Sequence, residues 1–224
     1  MYQFTGMHRL AIIIGFLLLS YSGFSQELGI FATINNSTLE GDSPKGFKIV
    51  PEYSYELGLL LDFKISEHVR LSASPSYFSV ESTARVRDRT SPDRKLKDSL
   101  SVRVAYLNFP IIFKINFQEN DRLYFVTGLE TAINLDSDIK NLSDVPDPDD
   151  VPSIDFKDVA FNVSFGLGYR IPIKSNFLFV ELRYNQGLTN VTEFTNNSNL
   201  LSRMKLQGME WNVGYVIPLG KKDD

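Results

Sequence analysis

Ten ionisable side chains fall on one side of an alternating pattern: Glu56, Asp62, Lys64, Arg70, Lys114, Glu130, Arg170, Glu181, Arg183 and Glu210. Five are acids and five are bases. Gathered out of water, such a set has two uses. It can pass ions or work as a buried acid–base pair. It can also neutralise itself in ion pairs, because an unpaired buried charge costs several kcal/mol. Glu181 and Arg183, two residues apart on one face, are the pair expected to meet first. The expected role of Glu56, Arg70, Lys114, Glu130, Arg170, Glu181, Arg183 and Glu210 is structural, a charge network filling a narrow interior.

Other candidate chemistry is thinner. A hydrolytic site usually needs a histidine beside a serine or carboxylate. Beyond residue 25 the chain has one histidine, His68, in a predicted turn, and it has no cysteine. No catalytic residue, enzymatic activity or cofactor is expected. Arg85, Arg87, Arg89, Arg94, Lys95 and Lys97 crowd the stretch 81–100, where they can clamp lipopolysaccharide phosphates or an acidic partner, or simply keep a loop solvated. The stretch 136–158 is acidic, but Asp147-Pro148-Asp149-Asp150-Val151-Pro152 lacks the spacing and glycine of a calcium loop, so no metal is expected. A net charge of −4 gives no footprint for nucleic acid.

Strands must position these residues. Tyr53, Tyr55, Leu57, Leu59, Leu61, Phe63 and Ile65 share one face, with Glu56, Gly58, Asp62 and Lys64 on the other. Val159, Phe161, Val163, Phe165, Leu167, Tyr169 and Ile171 likewise oppose Asn162, Ser164, Gly166, Gly168 and Arg170. A period of two marks a strand between unlike environments. The pattern predicts eight strands, near 27–35, 52–65, 69–80, 101–117, 123–135, 159–171, 177–187 and 205–219. Their connections alternate between short (66–68, 118–122, 172–176) and long (36–51, 81–100, 136–158, 188–204). Transmembrane barrels have this asymmetry, with an even strand count. Period alone does not say which face is inside: a soluble barrel would turn its apolar set inward. Small residues and charges of both signs suit a crowded lumen, which leaves the apolar set to lipid.

Residues 1–25 read as a cleavable signal peptide, with Arg9 before a ten-residue apolar run at 10–19 and Gly23-Phe24-Ser25 as the cleavage site. That run is well short of the roughly 20 residues that span a bilayer. Residues 26–220 then form the barrel and 221–224 a charged tail.

The segments Tyr106-Leu107-Asn108-Phe109-Pro110-Ile111, Phe165-Gly166-Leu167-Gly168-Tyr169, Glu181-Leu182-Arg183-Tyr184-Asn185-Gln186-Gly187-Leu188-Thr189-Asn190 and Gly214-Tyr215 resemble the PorT-like outer-membrane β-barrel family of the Bacteroidetes, best over 100–219. The resemblance implies an eight-stranded outer-membrane barrel.

The expectation is thus an all-β protein, an eight-stranded antiparallel up-and-down transmembrane β-barrel after a cleavable signal peptide. It would sit in the bacterial outer membrane with both termini in the periplasm. Its expected class is a structural, interaction or accessory envelope protein. Its expected partners are outer-membrane lipid and lipopolysaccharide, the barrel-assembly machinery and a protein at the external loops, but no nucleic acid. Two alternatives stay open: a soluble periplasmic barrel that binds an apolar ligand, and a narrow ion-conducting pore.

Overall fold

A computed structural model describes residues 26–41, 47–87, 96–117, 122–141, 154–194 and 203–219. The leader, the tail, residues 118–121 and the middles of the long connections lie outside the described residues. The alternating segments are all strands: β1 (Gln26–Gly41), β2 (Phe47–Pro51), β3 (Ser54–Lys64), β4 (Val69–Ala73), β5 (Ser76–Arg87), β6 (Leu96–Asn116), β7 (Leu123–Asn141), β8 (Ile154–Phe156), β9 (Val159–Ile173), β10 (Asn176–Gly187), β11 (Thr192–Phe194) and β12 (Met204–Pro218).

Ten of these make one antiparallel sheet in the order β1, β12, β10, β9, β7, β6, β4, β3, β5, β2. The first strand closes the ring. β1 pairs with β12 from Glu27↔Pro218 to Gly41↔Met204, and on its other edge with β3 from Gln26↔Phe63 to Asn35↔Ser54. β2 prolongs β3, and β4 and β5 form a single stave, so the ring has eight staves. Closure leaves no strand edge unpaired in lipid, the condition for a sheet to cross a membrane. One end carries the short turns and the paired ends of β1 and β12, where Leu219 N–H donates to the Gln26 carbonyl at 2.8 Å. All four long connections leave from the other end.

The staves run further toward that second end than the alternation predicts. β1 continues to Gly41, β5 to Arg87, β7 to Asn141, and β6 begins at Leu96. Residues 81–87 and 96–100 of the predicted loop 81–100 are therefore strand. In the backbone register Arg85 is paired with Asp98, Arg87 with Leu96 and Lys97 with Val86, while Arg89, Arg94 and Lys95 lie outside the described residues. The extension of β7 was hidden by a bulge. Tyr106 pairs with Asn134 but Ala105 with Asp136, so Leu135 is the extra residue. The bulge reverses the phase of β7. Asp136 is turned out to solvent, and Ile139 packs inward.

The predicted strand 69–80 is broken at Pro75, which has no N–H to give to a ladder. Its carbonyl still accepts from Leu59 N–H at 3.0 Å, and Ser74 N–H donates to the Pro110 carbonyl at 3.2 Å, so the wall stays shut.

The facing of the strands is unambiguous. On β9, Phe161, Phe165 and Tyr169 are 48%, 44% and 44% exposed on the outside, while Asn162 and Arg170 are 3% and 4% exposed within. The same outward belt includes Leu57, Leu59, Ile111, Phe113, Leu129, Leu167, Trp211 and Val213. Above the belt the pattern inverts. There the outer surface carries Arg103, Asp136, Lys140 and Lys205, and the inner surface is apolar: Leu39, Val80, Val102, Val104, Met204 and Leu206. Each section turns apolar side chains to whichever side lacks water. The outside-in expectation therefore holds for the belt but not for this cap.

Candidate functional site: the filled interior

The interior is built in tiers from inward-facing residues of all eight staves. At the short-turn end, Glu27 of β1 holds two arginines. Arg70 Nη1 on β4 lies 2.8 Å from Glu27 Oε1, and Arg170 Nη2 on β9 lies 2.5 Å from Oε2. The Arg170 guanidinium also lies 4.2 Å from the Phe177 ring centre, a favourable cation–π position. Just above, Phe31, Leu60, Phe179 and Val216 form a small apolar layer.

Glu181 of β10 organises the next tier. Its Oε1 accepts the Tyr124 hydroxyl at 2.6 Å and faces Lys114 Nζ at 3.3 Å. Its Oε2 accepts Arg183 Nε at 2.8 Å and Nη2 as well, a fork that fixes both groups. Lys114 also reaches Asp62 Oδ2 at 3.0 Å, between the rings of Tyr124 and Phe179. Higher still, Asn108 Nδ2 donates to Glu130 Oε2 at 3.1 Å and Asn185 Nδ2 donates to Glu210 Oε1 at 2.5 Å. The ceiling is the apolar cap, where Phe78 stacks on Tyr106 with centroids 5.2 Å apart and Val191 closes in from the segment after β10. Val191 is held there by its N–H on the Met204 carbonyl, at 2.7 Å.

Of the predicted charges, Glu56, Asp62, Arg70, Lys114, Glu130, Arg170, Glu181, Arg183 and Glu210 are buried inside, and Glu181 meets Arg183. Lys64 stays half-exposed at the short-turn end. Sequence reasoning missed Glu27, although it lies in phase with Phe31, Thr33 and Asn35; its position at the very start of a strand concealed it. It also missed Tyr124 and the apolar cap. His68 lies exposed in the turn between β3 and β4, away from the interior. Glycines let this interior fit. A Cβ on Gly58, Gly168 or Gly214 would meet the ring of Phe31, Tyr124 or Phe179, each directly opposite on the next strand.

A closed eight-stave barrel with an apolar waist and a charged, filled centre is an outer-membrane β-barrel, for which lipid is the outer solvent. The chain belongs to the outer membrane protein beta-barrel domain family, matched over residues 20–193, and is thereby a protein of the bacterial outer membrane. Among solved structures it is similar to the outer membrane protein OprG from Pseudomonas aeruginosa, with a TM-score of 0.55 at 10% identity, over 88% of this chain and 97% of that one. Neisserial surface protein A aligns with a TM-score of 0.44 at 12% identity, over 86% and 96%. No curated protein matches the sequence.

Proposed function

We propose that the protein is a closed, non-conducting barrel acting as a structural, interaction or accessory component of the envelope. One observation carries this reading: among the described residues, the interior is filled with side chains from the short-turn end to the cap. The Glu27 cluster fills the bottom, the Glu181 and Glu130 networks fill the middle, and the apolar cap fills the top. Eight staves enclose a space only wide enough for side chains, and open aqueous channels are typical of 16 or more. Ion passage would mean breaking buried charge pairs and then crossing an apolar layer.

In this reading the signal peptide is removed, the termini lie in the periplasm and the long connections face outward. The outward end meets lipopolysaccharide and a protein partner, after insertion by the barrel-assembly machinery. The protein is not an enzyme, and within its family it is of the PorT-like kind found in Bacteroidetes, on the segments already quoted. Purified protein reconstituted in planar bilayers should give no stable unitary currents. Stable, reproducible steps would replace this reading with a narrow pore. Crosslinking in native envelopes, with and without residues 142–153, should lose the partner when the connection is shortened.

A further inference from the structure

The buried charges do not balance. Among the described residues, six acids are buried in the interior, Glu27, Glu56, Asp62, Glu130, Glu181 and Glu210, against four bases, Arg70, Lys114, Arg170 and Arg183. The bases are engaged low in the barrel. Arg70 and Arg170 both hold Glu27, Lys114 bridges Asp62 and Glu181, and Arg183 is forked onto Glu181. Glu56, Glu130 and Glu210 are left with no cation of their own. They come from β3, β7 and β12 and act on one another through space, and the other charged groups facing them are Arg183 and Glu181 of β10.

Close to these carboxylates, amide oxygens also go unpaired. The amide nitrogen of Asn108 is directed at Glu130, and that of Asn185 at Glu130 and Glu210. The amide oxygens of both have no partner, nor does that of Asn162, which stands opposite Glu130 in the ladder. All three residues are more than nine-tenths buried. A carboxylate brings only acceptors and so has nothing to donate to these amide oxygens. Buried anions without a counter-charge and buried acceptors without a donor are both disfavoured. One kind of addition relieves both.

We propose that Glu56, Glu130 and Glu210, with the amide oxygens of Asn108, Asn162 and Asn185, form a site that takes up small monovalent cations from the medium, as protons or alkali-metal ions. A proton turns one carboxylate into a donor for an amide oxygen. An alkali ion is held by the same oxygens.

The test is the melting temperature of the folded barrel in detergent, at equal ionic strength in choline, sodium and potassium chloride, at mildly acidic and mildly alkaline pH. A species bound only by the folded state stabilises it. If protons are bound, melting falls as pH rises, in every salt. If alkali ions are bound, melting is higher in sodium or potassium than in choline. Either result supports the site, provided Glu210→Gln removes most of the dependence without lowering the melting temperature. Glu181→Gln, the control, should lower melting and keep the dependence. Should Glu210→Gln not fold, Glu56→Gln takes its place. Melting that ignores both pH and cation, or a dependence unchanged in both variants, overturns the proposal. Conductance measurements bear only on the closed-barrel reading, so the two stand or fall separately.

Discussion

Tyr124 lies across Gly168, its partner in the β7–β9 ladder, and from there gives its hydroxyl to Glu181 at 2.6 Å. The missing side chain on one strand is what lets the ring of the next lie flat against the wall and reach a buried carboxylate. Phe31 over Gly58 and Phe179 over Gly214 repeat the arrangement on other staves.

Gly168→Ala should therefore be damaging, although the change is a single methyl group. The added Cβ falls on the Tyr124 ring, which must swing away and release Glu181. Overpacking of this kind costs about 1–3 kcal/mol. Urea unfolding in lipid vesicles measures it, and Gly168→Ala combined with Tyr124→Phe should recover little, because the clash is with the ring.

Glu181→Gln leaves Lys114 and Arg183 facing a neutral amide in a buried site. Breaking a buried pair by neutralising one partner costs about 3–5 kcal/mol. Asp138→Asn removes the partner of Lys140 in an ion pair whose side chains are 46% and 72% exposed. That change should shift stability by less than about 1 kcal/mol. The same unfolding assay compares the two.

Arginine placed at three positions should separate belt from cap. Leu167→Arg points into the belt and should cost about 2–4 kcal/mol if it lies at mid-bilayer. Ser101→Arg points outward above the belt and should stay within about 0.5 kcal/mol of the parent. Val102→Arg, one residue along and buried in the cap, should exceed both, because it places an unpaired charge among Val80, Val104 and Leu206. Equal costs for Ser101→Arg and Val102→Arg would contradict the inversion.

The ring, its strand count and the outward belt were legible because they rest on one local property. A strand between lipid and a polar lumen alternates, and alternation survives in a single sequence wherever the solvents on the two sides stay the same. It failed where they change. Leu135 and Asp136 follow one another on the outside because of the bulge, and the strand looked finished there. Val80, Val102 and Val104 are as apolar as the belt but point inward, and only their position along the stave distinguishes them. Inside the barrel, Glu181 with Arg183 could be read because both belong to one strand. Glu27 with Arg70 and Arg170 could not, because those contacts depend on closure bringing β1 beside elements far away in the chain.

Trp211, the single tryptophan of the chain, offers the most direct measurement. It is 53% exposed on the outer face of β12, between Ile34 and Leu182, so in a bilayer it should touch lipid. Its fluorescence in vesicles should be blue-shifted, strongly quenched by acyl chains brominated at mid-depth and scarcely quenched by aqueous acrylamide. Red-shifted emission, quenched by acrylamide and indifferent to brominated lipid, would mean that the apolar faces do not meet the membrane, and the account would be wrong at its base.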